Sequence, residues 1–159
     1  MGTLIVVEGD KVEGTDKHNV SGTGPDSATN SVGSFTGIAD FDYKGSMTDD
    51  LSDFVSIDGK AVVLVTSKSS LDPGEHLPIS AQNITQVNPT TVTPALVASI
   101  DDTPIGTGTP SSGSGSSFVK VGGDATLLDS DSIDTCDGKG STENSTVTAE
   151  NQDFVSCSE

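Results

Sequence analysis

The chain has 159 residues with seven Lys, no Arg and 24 Asp and Glu, for a formal net charge of -17. That balance excludes nucleic acid as a partner, because phosphate contacts need clustered cations, and an acid-rich, Lys-poor surface suits a soluble monomer and a high-salt medium. Leu, Ile, Val and Phe make up about 23% of the residues, so no thick core is expected, and a metal, a partner or both should contribute to stability.

The opening Met1-Gly2-Thr3-Leu4-Ile5-Val6-Val7-Glu8 has no basic region, a short apolar run and an early acid, unlike a secretory signal. No later segment approaches a membrane span. The chain is therefore expected to be made in the cytoplasm and to leave it by another route. Leu4 to Val7 and Val12 to Gly14 read as a strand pair turned near Gly9-Asp10, and Gly24 to Ser34 as a polar loop. Phe35, Gly37, Ala39, Phe41 and Tyr43 alternate with polar residues, which predicts a half-buried strand.

Asp53-Phe54-Val55-Ser56-Ile57-Asp58-Gly59-Lys60-Ala61-Val62-Val63-Leu64 is matched almost position for position by Ser117-Phe118-Val119-Lys120-Val121-Gly122-Gly123-Asp124-Ala125-Thr126-Leu127-Leu128. Each copy is two short extended runs turned at glycine, the signature of a β-hairpin. Asp153-Phe154-Val155-Ser156-Cys157 is a truncated third copy. Between the two full copies, 77–116 is rich in Pro, Thr, Ser and Gly, and its prolines oppose ladder pairing; it is expected to run over the surface without a core of its own. No window has helical periodicity. The expectation is one all-β domain over 1–159 with pseudo-threefold internal repeats.

Chemistry concentrates in His18, His76, Cys136 and Cys157, the only His and Cys of the chain. His18 follows the first strand pair, His76 lies 22 residues after Phe54, and Cys136 lies 18 after Phe118. If the hairpins surround a pseudo-threefold axis, these places meet, and His, His and Cys at one point would hold one zinc or iron ion. Cys157 aligns with the apolar strand positions Ile57 and Val121; it is either a small buried hydrophobe or a fourth ligand. A Cys136–Cys157 disulfide is the least favoured option in a reducing compartment.

Weaker patterns carry less. Asp129-Ser130-Asp131-Ser132-Ile133-Asp134 begins like a calcium loop but has Ile133 and Asp134 where Asp or Asn and then Gly are needed, so it reads as a solvated acidic turn. Asn19-Val20-Ser21, Asn83-Ile84-Thr85 and Asn144-Ser145-Thr146 fit the glycosylation pattern, which a Ser/Thr-rich chain produces by chance. Gly113-Ser114-Gly115-Ser116 holds no nucleophile elbow.

Gly9-Asp10 with His18-Asn19-Val20-Ser21-Gly22, the Phe54 and Phe118 hairpins, and Cys136-Asp137-Gly138 together resemble the PAAR-repeat spike-tip proteins of contractile injection systems, which include type VI secretion and phage-tail-like particles. The resemblance covers 3–22, 53–76 and 117–157. It implies a small cone of β-hairpins whose base sits on a trimeric β-helical spike, with a metal near the apex. The family's usual ligands are three His and one Cys; His18, His76 and Cys136 match, and a third His is missing, which leaves Cys157, water or a vacant position. The family's Arg-Val-Gly-Asp hairpin ending is degraded here to Val65-Thr66-Ser67 and Asp129-Ser130-Asp131.

Two functions are expected from this reading. One is a non-enzymatic, metal-stabilised tip that caps and sharpens a spike for membrane piercing, with a place for effector cargo, on a particle assembled in the cytoplasm and delivered outward. The other is an acidic secreted or surface β-domain, a binding module with a regulatory metal. Metal-assisted hydrolysis ranks third, because no general base is placed beside the ligands.

Overall fold

A computed structural model describes residues 2–71, 83–102 and 106–158. These residues form an all-β structure. Its strands in chain order are β1 (Thr3–Leu4), β2 (Lys11–Asp26), β3 (Ser31–Asp49), β4 (Ser56–Ile57), β5 (Lys60–Ala61), β6 (Lys68–Leu71) and β7 (Ile84–Asn88), followed by β8 (Leu96–Ile100), β9 (Thr107–Pro110), β10 (Lys120–Val121), β11 (Asp124–Ala125), β12 (Ser132–Asp134), β13 (Ser145–Thr148) and β14 (Ser156–Cys157).

One long hairpin organises the chain. β2 and β3 pair without a break from Lys11↔Ser46 to Asp26↔Ser31. Their near halves belong to a closed antiparallel ring of six strands in the order β2, β3, β6, β9, β12, β13, which leaves no free edge there. Their far halves carry β8 on the β2 side and β7 on the β3 side. The segment expected as a polar loop, 24–34, is therefore mostly ladder, with Gly24 opposite Gly33 and a turn only at 27–30. Glycine there serves close backbone approach: a Cβ on Gly22 would stand 2.0 Å from Leu96 O, and one on Gly24 1.8 Å from Thr93 O.

The stretch 77–116 also differs from expectation. Within its described part it supplies β7, β8 and β9, and Val92 and Val97 are buried with Val20, Phe35, Ala39 and Phe41 in an apolar cluster under the far half of the hairpin. Proline is tolerated because it falls at strand ends or between strands, as with Pro110 at the close of β9 opposite Ile133. A second cluster fills the ring: Val12, Tyr43, Met47, Ile133 and Val147 with Val6, Val63 and Leu127.

The three Phe-Val segments carry matching hydrogen bonds. β4 pairs β5 around Asp58-Gly59, β10 pairs β11 around Gly122-Gly123, and β14 pairs β1, joining the two ends of the chain through Thr3↔Cys157 and Leu4↔Ser156. Both turns have positive φ at their two central residues, 50° and 78° in the first and 66° and 106° in the second, as a tight hairpin turn requires. Val62 N donates to Val55 O, Thr126 N to Val119 O and Ile5 N to Val155 O. Val6 N donates to Leu127 O, Leu127 N to Val63 O and Val63 N to Val6 O, at 2.9 to 3.1 Å, so three segments distant in sequence close a cycle of backbone bonds. Beneath the hairpins lies a third apolar cluster of Ile5, Val7, Ile57, Val62, Leu64, Leu128 and Cys157.

Candidate metal centre and exposed aromatic face

Strand alternation decides which side chains of β2 face inward. Val12 joins the cluster inside the ring and Val20 the cluster under the far half of the hairpin; between them, on the same face, stand Asp16 and His18, both 0% exposed. They lie opposite Phe41 and Ala39 of β3. Cys136 reaches them from the loop after β12, and ligand atoms of Asp16, His18 and Cys136 lie within 4.8 Å of one another. One carboxylate, one imidazole and one thiol are close enough to hold one metal ion, and their mixed donors suit zinc or iron.

The Asp16 carboxylate is surrounded by donors, as a buried charge must be. Thr135 Oγ1 and Asn144 Nδ2 donate to its Oδ1, the latter at 2.6 Å, and Cys136 Sγ donates to its Oδ2 at 2.8 Å. Asn144 and Thr135 are fixed in turn: Thr135 N donates to Asn144 Oδ1 at 2.9 Å, and Thr135 Oγ1 contacts Ser145 Oγ at 3.0 Å. His18 meets the Phe41 ring edge-on with centroids 5.4 Å apart, and its Nδ1 stands 3.7 Å from Asp102 Oδ2. Asp102 is held by the backbone N and the side-chain Nδ2 of Asn19, and Gly138 packs against it with no room for a Cβ. The loops after β8 and β12 thus converge on β2 at the centre.

Of the residues singled out in the sequence, His18 and Cys136 come together. Cys157 lies in the cluster beneath the hairpins, 8% exposed, its Sγ 3.7 Å from Ser116 Oγ, and it occupies in its strand pair the place that Ile57 and Val121 occupy in theirs. Cys136 and Cys157 are not joined in a disulfide. His76 lies outside the described residues. Asp16 is the member that a search confined to His and Cys passes over. Its signal is the Asp-x-His spacing, which in a strand puts both side chains on one face.

Phe54, Phe118 and Phe154 form a second feature. They are 73%, 73% and 64% exposed, against the rule that large aromatics are mostly buried. Each sits in an equivalent bend: Val55 N and Val119 N donate to Ser52 Oγ and Ser116 Oγ, and Val155 N to Gln152 Oε1, at 2.8 to 3.1 Å. The Phe54 ring leans toward the next hairpin's turn, with Cζ 3.5 Å from where a Gly122 Cβ would lie.

The chain matches no protein-family profile, and neither the curated proteins nor the solved structures contain a match to it.

Proposed function

We propose that this chain is a non-enzymatic cap for the end of a homotrimeric partner, acting as the spike tip of a contractile injection system, with a metal ion held by Asp16, His18 and Cys136 as an internal staple. The observation that carries the proposal is the trio of exposed Phe54, Phe118 and Phe154 on segments whose backbone bonds recur in cyclic order. A single chain that docks on a threefold end must offer three similar contacts, so it has to imitate by internal repetition the symmetry that its partner has by identity. A pseudo-threefold arrangement of the Phe-Val units, with the three Phe at the base of a cone, would meet that need. Burying one Phe side chain is worth about 1.5–3 kcal/mol, so three together can anchor a stable joint.

The metal's role in this reading is structural. Asp16 and His18 have no exposed surface, so a substrate has no access to them, whereas an ion there would tie β2 to the loop after β12. Zinc or iron would supply coordinate bonds in place of core thickness. Effector cargo and passage through a target membrane belong to the same reading and follow from the role of a tip.

The test is native mass spectrometry of the chain with the homotrimeric spike of its own particle. One cap per three spike chains is expected, with loss of the complex in the Phe54→Ser, Phe118→Ser, Phe154→Ser triple variant. A wild-type chain that stays alone, or a complex indifferent to the triple substitution, would sink the proposal.

A further inference from the structure

The surroundings of the three exposed Phe are unequal in charge, which bears on the chemistry of the partner. Glu8 N donates to Ala61 O, Val65 N to Ala125 O and Asp129 N to Leu4 O, so Glu8, Val65 and Asp129 hold corresponding places. Asp53, Ser117 and Asp153 correspond likewise, each immediately before its Phe. Two clefts result. One is lined by Glu8 and Asp53 beside Phe54, and the other by Asp129 and Asp153 beside Phe154. At the third place, beside Phe118, the corresponding residues are Val65 and Ser117, and the exposed Lys120 stands where Ser56 and Ser156 line the two clefts. The lysines of the ion pairs Lys11–Glu150, Lys17–Asp40 and Lys68–Asp50 are engaged elsewhere, and none of these pairs neutralises the four cleft carboxylates.

Resting on the capping role above, we propose that each chain of the homotrimeric partner presents a Lys or Arg side chain next to an apolar seat for one Phe, and that this protein grips two of the three equivalent cations. The clefts beside Phe54 and Phe154 take one each, between Glu8 and Asp53 and between Asp129 and Asp153. The third cation, facing Val65, Ser117 and the like charge of Lys120, remains in solvent. Identical partner chains must offer identical groups, so a cation that suits two clefts also appears at the third. Carboxylate pairs next to a desolvated aromatic contact favour a cation, and Arg most, because its flat guanidinium can meet a carboxylate and a ring together. Charge complementarity of this kind acts chiefly on encounter and on the choice of partner.

The probe is the purified homotrimeric spike of the same particle, titrated with this chain at 50 and 500 mM NaCl. Glu8→Gln, Asp53→Asn and Asp153→Asn combined should weaken binding about tenfold or more at low salt and much less at high salt. Asp129 is left intact because its Oδ1 also holds Ala149 N at 2.8 Å. Ser117→Asp, which copies Asp53 and Asp153 at the third place, should tighten binding severalfold. All the substituted residues are exposed, and an unchanged melting temperature confirms that any effect is on docking. A complex that forms with the same affinity in wild type and variants at both salts overturns the cation assignment while leaving the capping role standing. Absence of any complex with the wild-type chain overturns both.

Discussion

Asp16 gives the sharpest test of the metal centre, because substitution and metal removal make different demands on the same three hydrogen bonds. Its carboxylate accepts from Thr135, Asn144 and Cys136. In Asp16→Asn one oxygen survives as an acceptor, and the new amide turns a donor toward the Cys136 thiol. The mismatch alone should cost about 1–3 kcal/mol, the range for a buried donor left unsatisfied. In Cys136→Ser the hydroxyl can still donate to Asp16, so the metal-free chain should lose at most about 1 kcal/mol, yet a soft ligand is gone. An ion present at 100 times its dissociation constant adds about 2.7 kcal/mol to the folded state. At about 3 °C per kcal/mol for a chain of this size, a strong chelator should lower the wild-type melting temperature by about 8 °C. The same chelator should leave both variants unmoved. The assay is thermal unfolding with and without chelator, beside elemental analysis of each protein. A wild type with no stoichiometric metal, or an equal chelator effect in Cys136→Ser, would refute the assignment.

Cys157→Ser should keep its metal content and lose modest stability, as expected of a residue within the cluster beneath the hairpins; a drop in metal would instead make it a ligand. Leu127→Ala, at the 0% exposed centre of the backbone cycle, should cost about 2–5 kcal/mol in urea unfolding. Val97→Ala should cost about 2 kcal/mol, and a change below half a kcal/mol would mean that 77–116 adds no core after all. The Asp26 carboxyl is held below its usual range, first by the Ala28 backbone N–H and then by the Thr29 hydroxyl. A lowered folded value means that this contribution is present above the unfolded value, near 3.8, and is lost as pH falls through the folded one. Amide protection at 27–30, corrected for the intrinsic pH dependence of exchange, should accordingly fall as pH drops below about 3.8, and Asp26→Asn, whose amide does not titrate, should show no such step.

The two complete hairpins were legible because Asp58-Gly59 and Gly122-Gly123 are turn-forming pairs set between short apolar runs. The third unit was half legible: Phe154-Val155 repeats the motif, but its partner strand is Thr3–Leu4, at the other end of the chain, and no local pattern signals a pairing across more than 150 residues. The long hairpin stayed hidden for a different reason. Its tip, 24–34, read as loop by composition, with Gly24 and Gly33 in it, while the missing side chains of Gly22 and Gly37 admit β8 and β7 to the far half. Val92 sits alone among Thr and Pro, and the run Leu96-Val97 is too short for a periodic signal; both valines are buried because the hairpin supplies the rest of their cluster. Asp16 escaped because a carboxylate in a chain with 24 acids carries no compositional weight; its burial distinguishes it.

That burial bears on how the centre would take up an ion. A carboxylate withdrawn from water costs several kcal/mol even after relaxation, and the hydroxyl, amide and thiol around Asp16 each return part of that cost. The position lies on β2 between two apolar clusters, with Tyr43 and Met47 on one side and Phe35 and Val97 on the other, so a continuous hydrophobic interior could have run through it. His18 lies within coordinating reach of the Asp16 carboxylate and the Cys136 thiol. A divalent ion shared by Asp16, His18 and a Cys136 thiolate would neutralise the carboxylate and displace the thiol proton that points at it. The arrangement therefore predicts proton release on metal binding, visible as an uptake of base at constant pH when zinc is added; binding without proton release would mean that the Cys136 thiol stays outside the coordination shell.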